Sequence, residues 1–304
     1  MKRWIGRWIV IVVLFGALAG CRARQSASLH INPSLEAMVP SDTIFVAGAN
    51  LDAIRNTPVY QTLLARVPLP QLEEFQRQTG LDPRKDLAQF LVCSDGKHVL
   101  VIARGRFQTG DLEARLQSKG MARFTYKKYS LFGNEQAAVV FLNDSTVLAG
   151  PAAELRAIVD KSPGLGLPAS LRDLLRTLPA DDQVYAALIG GLEKFNLPIP
   201  NGGNFGNVAQ ILQSVESATL GVNLSQGIDA LAVVNSKTER DAKFVHDMVK
   251  GLAGFGRLNT PDNQRDLLKV YDGIQVTQQQ SQAKITVDIP ADLVDKALNM
   301  WMKR

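Results

Sequence analysis

Apolar and polar residues fall into blocks whose lengths separate strands from helices, and the blocks come in a recurring order. Pro40, Ser41 and Asp42 form a turn, and the apolar run at residues 43–49 behind them reads as a strand. Residues 90–94 and 98–103 are two more apolar runs, parted by Asp95-Gly96-Lys97, the pattern of a β-hairpin. A helix is expected over residues 111–119, with Gly120 just past its end where a left-handed residue is wanted. Three short strands are expected near residues 123–129, 136–142 and 145–149. Pro151 then opens a helix that places Leu155, Ile158 and Val159 on one face.

The same order returns. Val39-Pro40-Ser41-Asp42-Thr43 is answered by Leu178-Pro179-Ala180-Asp181-Asp182, and each is followed by an apolar strand. Val67-Pro68-Leu69-Pro70 is answered by Leu197-Pro198-Ile199-Pro200, and Asp95-Gly96 by Gln226-Gly227. Gly150-Pro151-Ala152 is answered by Ile289-Pro290-Ala291, at the same offset as the first pair. An ordered set of echoes reads as duplication. In the second copy Ser236-Lys237-Thr238-Glu239 reads as a capping box, and Val245, Met248, Val249 and Leu252 follow at helical spacing. After Pro290, Leu293, Val294, Ala297, Leu298 and Trp301 share a helix face that suits packing on a sheet.

These blocks predict an α+β fold: two tandem, duplicated sheet-plus-helix units packed side by side, with antiparallel or mixed sheets covered by helices on one face. The Pro- and Gly-rich segment at residues 162–170 is the natural boundary, giving units at 38–163 and 164–304. Residues 22–37 are polar and lack a period, so residues 21–37 read as a tether.

The beginning of the chain has a different character. Lys2, Arg3 and Arg7 precede an apolar run at residues 8–19, too short for a comfortable span of about 20 residues. Leu18-Ala19-Gly20-Cys21 closes it, and residues 1–20 read as a cleaved signal. The tetrapeptide resembles the lipobox of bacterial lipoproteins. That resemblance implies that Cys21 becomes the acylated first residue of the mature chain and holds it on a membrane. It also implies an envelope location facing the periplasm. Arg22, where the family uses aspartate for inner-membrane retention, favours the outer membrane in a cell with two. The body is similar, as a pattern only, to uncharacterised duplicated α+β envelope proteins, which bring no catalytic residues with them.

Charge narrows the partners. Of 34 Lys and Arg the signal holds three, leaving 31 against 29 Asp and Glu, so the mature chain is near neutral and gives no basis for nucleic-acid binding. Cys93 lies in an apolar run and reads as a buried strand thiol; with Cys21 lipidated, no internal disulfide is available.

Chemistry is sparse. His30, His98 and His246 are far apart, with no metal-ligand spacing, and G-x-S-x-G is absent, so no catalytic residue, metal or cofactor is nominated. His246 beside Asp247 reads as ion-paired or solvated. Tyr126-Lys127-Lys128-Tyr129 reads as a solvent-facing strand. The segment at residues 196–207 is the best place for a binding loop, at Asn201, Gly202, Gly203, Asn204 and Phe205. Asp42 and Asp182, each ahead of a first strand, form a candidate acidic pair if the copies face each other, against the simpler reading that each closes a turn. The expected function is a membrane-anchored envelope lipoprotein with a non-catalytic binding body whose partner is an envelope protein or a small ligand. An envelope hydrolase with its site between the copies, and a carrier of a lipid or other apolar ligand, stay open as alternatives.

Overall fold

The computed structural model describes residues 31–61, 70–190, 195, 213–261 and 263–302, and the structural statements below refer to these. Helix α1 (Pro33–Glu36) leads to strand β1 (Phe45–Asn50) and helices α2 (Leu51–Arg55), α3 (Pro70–Thr79) and α4 (Pro83–Asp86). The hairpin β2 (Leu87–Ser94) and β3 (Val99–Gly105) follows, then α5 (Thr109–Ser118). Four strands come next: β4 (Arg123–Tyr126), β5 (Tyr129–Gly133), β6 (Ala138–Asn143) and β7 (Thr146–Gly150). Helices α6 (Ala152–Asp160) and α7 (Ala169–Leu175) lead into β8 (Val184–Ile189), β9 (Val215–Asn223) and β10 (Gly227–Ser236). The described chain closes with α8 (Glu239–Leu258), α9 (Arg265–Asp272), β11 (Ile274–Gln279), β12 (Gln282–Pro290) and α10 (Ala291–Met302).

The expected β2–β3 hairpin forms, and its turn is held locally. Asp95 Oδ1 accepts from the backbone N–H of Lys97 (2.7 Å) and His98 (2.6 Å), and Gly96 takes a φ of +95°, which glycine adopts without steric cost. The strand expected at 123–129 is instead a second hairpin. Tyr126 pairs with Tyr129 across Lys127, whose φ of +52° turns the chain back, so β5 was hidden behind a lysine in the place of a turn residue. The cap of α8 also sits later than expected. Thr238, not Ser236, accepts from the N–H of Asp241, because Ser236 is still paired in β10. Residues 31–37 differ from a tether: Ile31 and Leu35 are buried, and α1 is capped by Asn32.

All twelve strands join one antiparallel sheet in the order β11-β12-β10-β9-β8-β1-β2-β3-β7-β6-β5-β4. Next to its centre β1 pairs with β8, and Ala47 lies opposite Ala186. One face carries α1, α6 and α7, whose Leu35, Leu155 and Leu171 pack on Val46, Leu91, Ile102, Leu148 and Tyr185. This core crosses the expected boundary at 163/164. Gly164 O accepts from Ser41 N, and Gly166 N donates to Val39 O, so that segment is packed rather than loose.

The opposite face carries two smaller cores. Near β6, Leu112 and Leu116 of α5 meet Phe107, Phe132 and Phe141; near β12, Val222, Ala230, Ile285 and Val287 meet Val294 of α10, with Val249 of α8 at the margin. Helices therefore lie on both faces of the sheet, not on one. Only the β10–β12 end keeps the expected single cover: Gln275, Thr277, Gln279, Lys284 and Asp288 are exposed there while Ile285, Val287 and Ile289 are buried, the alternation of a half-solvated sheet. No helix among the described residues is long and apolar enough to cross a membrane.

Gly48 marks the tightest point of the central core. A Cβ there would lie 2.6 Å from Tyr185 Oη and 2.7 Å from Leu91 Cδ2. Gly48→Ala is expected to destabilise the fold by about 1–3 kcal/mol through overpacking, read as a lower urea midpoint with an unchanged slope. An unshifted midpoint would mean that Tyr185 and Leu91 yield freely.

Candidate interaction surface

The two aspartates singled out from sequence are not brought together. β1 and β8 run antiparallel, so Asp42 lies before one end of the pair and Asp182 before the other, about 20 Å or more apart by strand rise. Thr43 N donates to Pro40 O and Asp182 N to Pro179 O, both at 3.2 Å, so the two segments make the same turn. In the register that sets Pro179 against Pro40, the counterpart of Asp42 is Asp181, and both are exposed. Asp182 is buried, with its carboxylate against Gly221, where any side chain would overlap it. The acidic pair is thus replaced by two unrelated carboxylates, because the antiparallel centre sends the two turns to opposite ends.

Asp42 has a different neighbour. With Thr43, Ser94, Asp95, His98 and Glu154 it borders a small cleft of about 20 Å3, room for one water-sized group. His98 Nδ1 lies 3.0 Å from Asp95 Oδ2. Burial opposes ionisation of Asp95, yet the N–H groups of His98 and Lys97 outweigh it and hold the carboxyl below the usual range. Glu154 is held above it, first by burial and then by the charge of Asp42. Cys93 lines the same cleft from beneath, and burial pushes its thiol up to about 12, so it is a neutral packing group at ordinary pH. Among the described residues no group of three or more His, Cys, Asp or Glu is placed to hold a metal.

The larger feature is on α8. A helix turns about 100° per residue, so Phe244, Met248, Gly251, Phe255 and Leu258, spaced by four, three, four and three, form one seam, with Leu252 beside it. Ala242, Val245 and Val249 face the body, where Val245 and Met248 reach Val234 and Ala283. The rest of the seam does not. Phe244 is 38% exposed, Leu252 65%, Phe255 68% and Leu258 87%. Sequence periodicity put Leu252 on the packed face; on this helix of about 30 Å it lies beside the seam and is exposed instead. The four side chains present roughly 400–500 Å2 of apolar surface, large for a patch that no described residue covers.

Polar contacts flank the seam, two within the helix and one to its neighbour α9. Lys243 pairs with Asp247 at 2.8 Å, His246 Nδ1 meets Asp247 at 2.8 Å, and Arg257 pairs with Asp272 of α9. Tyr271 packs so closely on Gly256 that a side chain there would require the tyrosine ring to move. The 4-3-4-3 spacing of residues 244–258 was the sequence signal for the seam; it was masked by the 245–252 stripe one step around the helix.

Cys21, the site of expected lipidation, and the expected binding loop at Asn201, Gly202, Gly203, Asn204 and Phe205 lie outside the described residues. No family model matches the chain, and no curated protein matches it. Among solved structures it is similar to three crystal forms of TP0453. Form I has a TM-score of 0.45 at 10% identity, over 90% of this chain and 98% of that one. Form III has a TM-score of 0.49 at 9% identity, over 88% and 98%. Form IV has a TM-score of 0.45 at 9% identity, over 89% and 97%.

The influence of Asp42 on Glu154 is directly testable. The fold prefers protonated Glu154, so its stabilising contribution is present at low pH and lost as pH rises through its raised midpoint. Asp42→Asn is expected to move the Glu154 midpoint down towards the ordinary glutamate value in a carboxyl 13C NMR titration. An unmoved midpoint would mean that Asp42 does not act on it.

Proposed function

We propose that this chain is a lipid-anchored envelope protein whose α+β body is an interaction module rather than an enzyme. The observation that carries the second half of this reading is the seam of α8, which no described residue covers. Four large apolar side chains along one side of a helix whose polar flank is ion-paired suit the docking of a partner surface. The small cleft beside Asp42 and Glu154 has room for a water but not for a substrate. The anchor rests on the basic head, the short apolar run and Leu18-Ala19-Gly20-Cys21, which together resemble a lipoprotein signal. A tether of this kind raises the local concentration of the body near other membrane-held partners.

We also read the body as a duplication. Ala47 and Ala186 hold matching positions in the two echoes, and they face each other at the sheet centre. Around them Val46 pairs with Ala187 and Gly48 with Tyr185, an exchange that a twofold axis through the alanine pair requires. Outward from the centre one half runs β1-β2-β3-β7-β6 and the other β8-β9-β10-β12-β11. This correspondence ends at the last helices. Matching Gly96 to Gly227 sets Val233 in the place of Ile102, and matching Ala152 to Ala291 sets Val287 in the place of Leu148. Ile102 pairs with Leu148, but Val233 pairs with Lys284, an odd number of positions short of Val287. An odd shift turns a strand's apolar residues to the other face, so α6 packs on one side of the sheet and α10 on the other.

Two changes test the two halves separately. Cys21→Ser is expected to abolish acylation and leave an unprocessed precursor in the mass spectrum; normal maturation would sink the lipoprotein reading. A photo-crosslinking residue at Leu258 is expected to yield a discrete adduct in intact cells that Phe255→Glu removes. An adduct pattern insensitive to Phe255→Glu would sink the interaction reading of α8.

A further inference from the structure

The two edges of the sheet are built differently. β4 is four residues long, carries Arg123, and turns at Lys127 and Lys128, so charge and shortness protect it from pairing with another chain. β11 is six residues long, Ile-Gln-Val-Thr-Gln-Gln, with no charge and no proline, and it pairs with β12 in unbroken register from Ile274↔Val287 to Gln279↔Gln282. Among the described residues no strand pairs with its outer side. A regular, uncharged edge of this length is a template for one more strand.

The same margin carries the apolar seam, because α8 lies over β10, β12 and β11. At the middle of the seam Gly251 has open space where a side chain would be, and so has Gly254 further along, which lets a second helix approach closely. The seam supplies roughly 400–500 Å2, while a stable interface takes about 800 Å2 from each partner. The seam alone falls short of that size, and the β11 edge on the same margin would add to it.

We infer that β11 and α8 form the docking site for a second copy of this chain, joined by antiparallel β11·β11 pairing and by packing of the two α8 seams across a twofold axis. This rests on the reading of α8 as an interaction surface and names its occupant. Twofold pairing at β11 sets Gln and Thr against Gln and Thr with no like charges opposed, whereas pairing at β4 would bring together Arg123, Lys127 and Lys128 of both copies. A lipid surface would cover the seam but would leave the outward N–H and C=O groups of the β11 edge unpaired wherever it covered them as well. A second copy satisfies both.

The test is sedimentation velocity on the full acylated chain in detergent, with the micelle contribution matched out. The wild type is expected to sediment as a dimer. Thr277→Lys, on the open face of β11, and Phe255→Glu, on the seam, are each expected to weaken the dimer by roughly tenfold or more. Both positions are exposed in the single chain, so circular dichroism and thermal melting should be unchanged. A monomer up to about 100 µM, or a dimer that neither substitution weakens, overturns the inference. If the wild type is a monomer and Phe255→Glu removes flotation with phosphatidylglycerol vesicles, the seam contacts lipid: the second-copy assignment fails and the interaction reading stands. If Phe255→Glu alters neither sedimentation, flotation nor the crosslinked adduct, both fail.

Discussion

The antiparallel pairing of β1 with β8 is the contact on which the rest of the molecule depends. Each of these strands is short, and each opens one half of the sheet. Set edge to edge, they turn two small sheets into one of twelve strands, and the largest core forms across the join. Tyr185 from one half and Leu91 from the other close on Gly48 so tightly that no side chain fits between them. Leu167 within the boundary segment and Leu171, Leu175 and Leu178 beyond it complete that core, so the halves share their interior rather than merely touching. Sharing a core is physically favourable because a larger body buries a greater fraction of its surface.

The consequences for chemistry follow from the same pairing. An antiparallel centre sends the entrances of β1 and β8 to opposite ends, and with them the turns that carry Asp42 and Asp182. Asp42 is left beside Glu154 of α6, while Asp182 is enclosed against Gly221. On the face that carries α1, α6 and α7, the central core spans the join between the halves. Of the two margins of the described sheet, the one formed by β11 and α8 is both regular in backbone and apolar in surface.

Helix α8 shows how such a surface arises. Its residues at 242, 245 and 249 satisfy the sheet below, and Tyr271 and Asp272 of α9 hold its later turns. A second apolar row lies one step around, and apart from Met248 its large side chains are exposed among the described residues. Retaining phenylalanine and leucine in such a row costs solubility unless something covers it.

Features that depend on near neighbours were legible along the chain. Apolar runs marked β1, the β2–β3 hairpin, β6 and β7; Asp95-Gly96 set the β2–β3 turn; Cys93 in an apolar run was a buried thiol; and the apolar residues after Pro40 and Pro179 marked β1 and β8 as strands. Features that depend on distant parts of the chain emerged only in the assembled fold. Whether two matching strands pair with each other or stay apart is not written in either strand. The Lys127 turn was hidden because a left-handed lysine is held by the ladder on both sides of it, not by its own preference. The exposure of Leu252 depended on which elements pack against α8, and the separation of Asp42 from Asp182 on the direction in which β1 meets β8. Periodicity fixes which side of an element is apolar; the packing of distant elements fixes whether anything lies against it.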